Sequence, residues 1–188
     1  MMLGILNGRD YYPINDVDGE VRDVWVDGGK IVPPPATEEA RREASTIDAT
    51  GLVVMAGGVD IHSHIAGAKV NAGRKFRPED HRDHVRARTS RTRSGAGYTT
   101  PTTAMMGYLY AEMGYTTVME AATAPLVARH THEELEDIPV LDTGAYITMG
   151  NNHFIMESIR RGEREKARDY VAWVLQATKG DAIKIVNP

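Results

Sequence analysis

The sequence predicts an α/β protein: a small, mainly antiparallel β portion over residues 1–52, followed over residues 53–188 by strands that alternate with helices on a parallel sheet. Three observations carry this. Asp27-Gly28-Gly29 sits between alternating apolar residues, a strong hairpin signal. The apolar period changes from two to helical near residue 101. From there helix and strand patterns alternate to the end, the mark of βαβ units.

The elements follow in order. LGILNG reads as a first strand, and Pro13, Asn15 and Asp16 as a loop. EVRDVWVDGGKIV is a hairpin in which Val21, Asp23, Trp25 and Ile31 alternate with Val24 and Val26 about the turn. Pro33-Pro34-Pro35 and TEEARREA read as a solvated connection. STIDATGLVVMAGGVDIHSHI then carries two apolar runs separated by Gly57-Gly58. PTTAMMGYLYAEMG is a helix, with Pro101 near its start, Met105, Leu109 and Met113 on one stripe and Gly114 as its stop. YTTVMEAAT is a strand, TAPLVARHTHEELED a helix and IPVLDTGAYITMG a strand. One long helix is expected from about Phe154 to Lys179, and AIKIVNP closes as a fourth strand. An open sheet ending on a bare strand leaves an exposed edge, so the chain is expected to be a truncated one.

Composition narrows the chemistry. With 188 residues, 41% hydrophobic, 26% charged and a formal charge of −4, the chain has the profile of a soluble globular protein. No apolar run approaches the ~18 residues of a membrane helix, and MMLGILNGRDYYP lacks the basic and apolar regions of a signal peptide, so a cytoplasmic location is expected. Zero cysteines exclude disulfides, thiolate zinc, a cysteine nucleophile and an iron–sulfur cluster held by this chain. Mild acidity argues against a nucleic-acid binder.

The chemically informative segment is GGVDIHSH, Gly57 to His64. In a strand entered at Val59, residues two apart share a face, so Asp60, His62 and His64 project together at its C-terminal end. Two neutral imidazoles then reach one divalent metal, with Asp60 able to orient an imidazole from behind. The alternative is a strand bearing two surface histidines.

The passage IDATGLVVMAGGVDIHSH resembles the opening of the amidohydrolase superfamily, whose members enter a (β/α)8 barrel through a Gly-Val/Ile-Asp-x-His-x-His strand. Ala56 departs from the proline many members carry there. More narrowly, HSHIAGAKVNAGRKFRPEDH, SGAGYTTPTTAMMGYLYAEMGYTTVMEAA, ARHTHEE and MGNNHFIM resemble the A-subunit family of formylmethanofuran dehydrogenase and its relative in the bacterial formyltransferase/hydrolase complex, with similarity from about Gly19 to Pro188. The resemblance implies a fold: the first half of an amidohydrolase-type (β/α)8 TIM barrel, strands one to four, preceded by part of a small β-sandwich. A complete barrel needs ~250 residues, so the isolated chain is expected neither to close its barrel nor to turn over substrate.

The resemblance also implies a reaction, the metal-dependent reversible hydrolysis of the N-formyl amide of formylmethanofuran to formate and methanofuran. Two divalent ions, zinc being expected, are implied. His62 and His64 hold one ion, and Lys184 on the fourth strand, carboxylated to N6-carboxylysine, bridges both. An unmodified lysine, with a reference pKa of ~10.4, is a poor ligand; Lys179, ahead of the strand, is the weaker candidate. The catalytic aspartate and two further histidines are expected beyond Pro188. Molybdenum, tungsten and iron–sulfur chemistry is assigned to the other subunits of the complex.

Other polar residues are weaker candidates. RKFRPEDHRDHVRARTSRTR is a basic run that ordinarily reads as a solvated loop. The resemblance supplies a methanofuran-type carrier with a glutamate-rich tail, which Arg86, Arg88, Arg91 and Arg93 would steer or hold. Asn151, Asn152 and His153 follow the third strand, and Glu120 ends the second; each is a candidate substrate contact or a turn residue. His130 and His132 read as helix-surface residues, and His81 and His84 as loop residues. Two rival readings stand beside this one: a hydantoinase or dihydroorotase type that shares the metal residues but acts on a cyclic amide, and a non-catalytic amidohydrolase-like scaffold subunit that keeps the fold and has lost the site, against which His62, His64 and Lys184 argue.

Overall fold

The computed structural model describes residues 2–76 and 103–186, in two compact units divided between Ala56 and Gly57. His81, His84, Arg86, Arg88, Arg91, Arg93 and Pro101 lie outside the described residues.

The first unit is one five-stranded sheet. Strand β1 (Leu3–Tyr12) pairs antiparallel with β2 (Val17–Asp27), which turns at Gly28-Gly29 into β3 (Lys30–Val32). Both turn glycines have positive φ, 56° and 75°, as the expected hairpin requires. β4 (Ser45–Asp48) and β5 (Val53–Met55) each pair parallel with β1. The two runs expected either side of Gly57 are therefore three strands, and the unit reaches Ala56 instead of ending at residue 52, because Val53–Met55 is hydrogen-bonded to β1. Trp25, 4% exposed, anchors the sheet's core; its ring lies over Gly4, where any Cβ would clash. TEEARREA is not wholly solvated coil. Glu38–Glu43 forms helix α1, because Thr37 accepts a hydrogen bond from Ala40 N–H, acids fill the first turn and Arg41 and Arg42 the last.

The second unit is a four-stranded parallel sheet in sequential order: β6 (Gly58–Ser63), β7 (Tyr115–Thr123), β8 (Asp142–Thr148) and β9 (Ala182–Lys184). Its helices are α2 (Ala68–Phe76), α3 (Thr103–Glu112), α4 (Ala128–Leu135), α5 (His153–Arg160) and α6 (Arg164–Thr178). One core gathers Ile65, Val118, Leu135, Ile138 and Ala145; another gathers Ala128, Ile147, Met149 and Val174.

Two helix readings are corrected. The core side of α3 is Met106 and Tyr110, not the Met105, Leu109, Met113 stripe. Gly107 sets that rotation, since a Cβ there would lie 2.5 Å from Ile138 Cγ2, and Met113 is left exposed. The long helix is two, broken at Gly162, whose φ of 73° no helix interior accommodates. Among the described residues no helix is long and apolar enough to cross a membrane.

Candidate metal centre

Because the four strands are parallel, their C-terminal ends share one edge, and the candidate site lies there. A pocket of about 850 Å³ is lined by His62 from β6, Thr148 from β8, Lys184 from β9, and His64, Lys69 and Asn151 from the segments that follow β6 and β8.

The imidazoles of His62 and His64 stand edge to face, with ring centroids 5.5 Å apart. Lys184 Nζ lies 3.1 Å from His62 Nδ1. An ammonium has only donors, so this contact uses the lone pair of Nδ1. Lys184 thus meets His62 from 122 residues away, and His62 in turn meets His64.

Asp60 does something other than orient an imidazole. Its Oδ1 accepts from the His62 main-chain N–H at 2.9 Å and its Oδ2 from the Tyr110 hydroxyl at 3.0 Å. It fixes the strand's backbone, and its ties run to α3. Tyr110 also lies 2.9 Å from Ser63 Oγ. Burial, reinforced by the hydrogen bond to Asp60, pushes the Tyr110 phenol above its ordinary pKa, while Ser63 opposes the shift.

His64 meets Glu120, whose Oε1 is 3.2 Å from His64 Nδ1. The segment after His64 hangs from two buried carboxylates. Glu120 receives the N–H groups of Ile65 and Ala66. Glu134 of α4 receives Gly67 N–H at 2.7 Å, the Asn71 amide and the Thr103 hydroxyl, and pairs with His130 Nε2 at 2.8 Å. Arg74, 5% exposed, donates to the Ile65 carbonyl at 2.5 Å and to Asn71 Oδ1 at 2.9 Å. Its desolvation lowers the guanidinium's pKa, against which the charges of Glu134 and Glu120 act. Sequence reading missed Glu134, Arg74 and Tyr110 altogether. The signal for Glu134 was present in HTHEE, where His130 and Glu134 stand four apart on one helix face.

The remaining candidates separate. Asn152 lines the pocket, yet its Oδ1 caps α5 by accepting from Ile155 N–H at 3.0 Å and its Nδ2 reaches the Tyr170 hydroxyl at 3.1 Å. Asn151 is exposed at the rim. His153 opens α5 and acts electrostatically on Glu157; it is not among the pocket's lining residues. His130 and His132 lie on α4, the latter with Nε2 3.0 Å from the Thr178 carbonyl.

Among the described residues no three His, Cys, Asp or Glu side chains converge on a metal position. The donor chemistry fits a divalent ion in another way: two imidazoles lie side by side, and the adjacent lysine becomes an anionic oxygen ligand only as a carbamate.

The model of the amidohydrolase family matches residues 45–188. The protein FwdA of Methanocaldococcus jannaschii is 50% identical over 98% of this chain, and the A-subunit of the formyltransferase/hydrolase complex Fhc of Methylorubrum extorquens is 38% identical over 100% of it. The chain spans about a third of each relative's length, 31% and 33%. In the crystal structure of the Methylorubrum extorquens FhcABCD complex with methylofuran, one chain superposes with a TM-score of 0.81 at 37% identity, covering 100% of this chain and 33% of that one.

Proposed function

Because the chain belongs to the amidohydrolase family, we propose that it is part of a metal-dependent hydrolase that cleaves, reversibly, the N-formyl amide of a methanofuran-type carrier to formate and the free amine. In this reading β6 to β9 are the first four strands of a (β/α)8 barrel, and the five-stranded sheet is part of a β-sandwich. The hydrolase works in a cytoplasmic complex whose other subunits carry the redox chemistry. The substrate class is suggested by the similarity to the Fhc A-subunit and to a complex seen with methylofuran.

The observation that carries the reading is the convergence of His62, His64 and Lys184 at one strand edge, with Lys184 Nζ 3.1 Å from His62 Nδ1. His62 and His64 would hold one divalent ion, and Lys184 as its carbamate would bridge to a second. When bound, such ions supply Lewis acidity at an amide oxygen and lower the pKa of water toward neutrality. The chain's own residues prepare the site. Asp60 fixes the strand that bears His62, and the two buried carboxylates hold the turn after His64. Asn151 and Lys69, on the pocket's rim, are left to meet substrate.

The test uses the full-length protein. Formate release is measured from N-formylated carrier amines and ring opening from cyclic ureides, with metal content and the mass of the peptide bearing Lys184 determined alongside. Expected are formate release, two metal equivalents and a lysine heavier by one CO2. Turnover of cyclic ureides alone would sink the proposal in favour of a hydantoinase or dihydroorotase type.

A further inference from the structure

We infer that Glu120 is a positioning residue that decides which nitrogen His64 offers to a metal, an inference that rests on the reading of His64 as a ligand. The Glu120 side chain is 2% exposed near the end of β7. Its Oε2 accepts from Ile65 N–H at 2.8 Å and from Ala66 N–H at 3.2 Å. Its Oε1 accepts from Ala122 N–H at 3.1 Å and lies 3.2 Å from His64 Nδ1.

Three of the four groups facing this carboxylate are main-chain N–H groups, which can only donate. A carboxylate offers only acceptors, so the fourth contact is satisfied when Nδ1 carries the proton. His64 is thereby held with Nδ1–H toward Glu120 and with the lone pair of Nε2 free for a ligand. Turn and tautomer are set together, because the side chain that orders His64 also holds the next two residues.

The two histidines are consequently not equivalent. His62 meets Lys184 Nζ through Nδ1 and owes its backbone position to Asp60, with no carboxylate behind its ring among the contacts described. Glu120 therefore acts on one ligand only.

Replacing Glu120 with glutamine separates this role from simple packing. An amide has one acceptor and one donor end. Keeping its oxygen on the N–H groups of Ile65 and Ala66 turns the NH2 toward His64 at the cost of the single Ala122 N–H bond, whereas the flipped amide would lose both of the former; His64 must then accept at Nδ1 and carry its proton on Nε2. The variant nearly matches glutamate in shape but reverses the tautomer.

The experiment uses the full-length protein labelled with 15N-histidine and stripped of metal. Long-range 1H–15N spectra report each imidazole's tautomer, and His64 is assigned by the signal lost in His64→Asn. Expected are an Nδ1–H tautomer in the wild type, an Nε2–H tautomer in Glu120→Gln, and a zinc affinity lowered by roughly 10–100-fold in that variant, read by chelator competition. An Nε2–H tautomer in the wild type overturns the inference, and that measurement holds even if Glu120→Gln does not fold. Zinc bound equally, within about twofold, by wild type and Glu120→Gln overturns the role of Glu120 alone. A wild type that binds no zinc overturns the metal reading itself.

Discussion

Lys184 Nζ lies 3.1 Å from His62 Nδ1, so the last strand of the parallel sheet delivers its only lysine to the first strand's histidine. The Lys184 side chain is half-buried at this strand edge. Lys184→Ala in the full-length protein is expected to abolish the CO2-heavier peptide and to lower bound metal below one equivalent. Added acetate or propionate should restore part of the metal content by replacing the missing carbamate oxygens. Full metal loading in Lys184→Ala without added acid would show that the lysine is no ligand.

Asn152 caps α5 and reaches Tyr170, although it stands beside the pocket. Asn152→Ala should cost about 1 kcal/mol of stability, the usual worth of a helix cap. Denaturant unfolding reads the loss. With the capping role dominant, KM of the full-length protein for the proposed N-formyl substrate stays within about twofold; a tenfold rise would instead make Asn152 a substrate contact.

Glu134 and Arg74 are both buried, and the charge of Glu134 opposes the desolvation of Arg74. Glu134→Leu is expected to destabilise by about 3–5 kcal/mol, the range for leaving a buried charge uncompensated. It also orphans Gly67 N–H. Glu134→Gln, which keeps an acceptor, should cost less. Equal losses in the two variants would show that the retained acceptor contributes nothing here.

Gly67 and Gly114 have similar φ values, 90° and 86°, but a Cβ on Gly67 would lie 2.8 Å from Thr131 Oγ1, while one on Gly114 meets nothing within 4 Å. Both alanine variants carry the cost of left-handed backbone, roughly 1–2 kcal/mol. Gly67→Ala adds a steric term against a threonine tied to the Val127 carbonyl. Thermal unfolding should rank Gly67→Ala below Gly114→Ala; the reverse order would refute the steric account.

Arg160 first, then Arg161, hydrogen-bond Glu157 at 2.6 Å and hold its carboxyl below the ordinary range, with His153 adding to the effect. A carboxyl whose folded pKa is depressed contributes stability above its unfolded pKa of about 4.3 and loses it as pH falls through the folded value. The Tm difference between wild type and Glu157→Gln should therefore shrink on acidification below that pH. A difference that stays constant from neutrality into strong acid would contradict the assignment.

Sequence reading succeeded where the physics is local or periodic. The 27–29 turn was legible because glycine tolerates positive φ, and a strand leading into His62 because its apolar run follows a glycine break. Lys184 was legible by counting strands and by family resemblance. What escaped depends on groups far apart in the chain. Glu120 meets Ile65 across 55 residues and Glu134 meets Gly67 across 67, and no window along the sequence joins them. The break at Gly162 escaped because a single glycine inside a helical pattern is common, and α1 because a charged run after prolines disguised Thr37 as part of a loop.

The sequential order of β6, β7, β8 and β9 carries a consequence for biosynthesis. His62 leaves the ribosome 122 residues ahead of Lys184. At about 5–20 residues per second, the paired imidazoles wait on the order of ten seconds before their lysine exists. During that interval any adventitious cation meets a two-histidine clamp with no oxygen bridge to hold it. On the proposed reading of these residues as ligands, tight capture waits until β9 has docked, so a metal would enter a sheet already built.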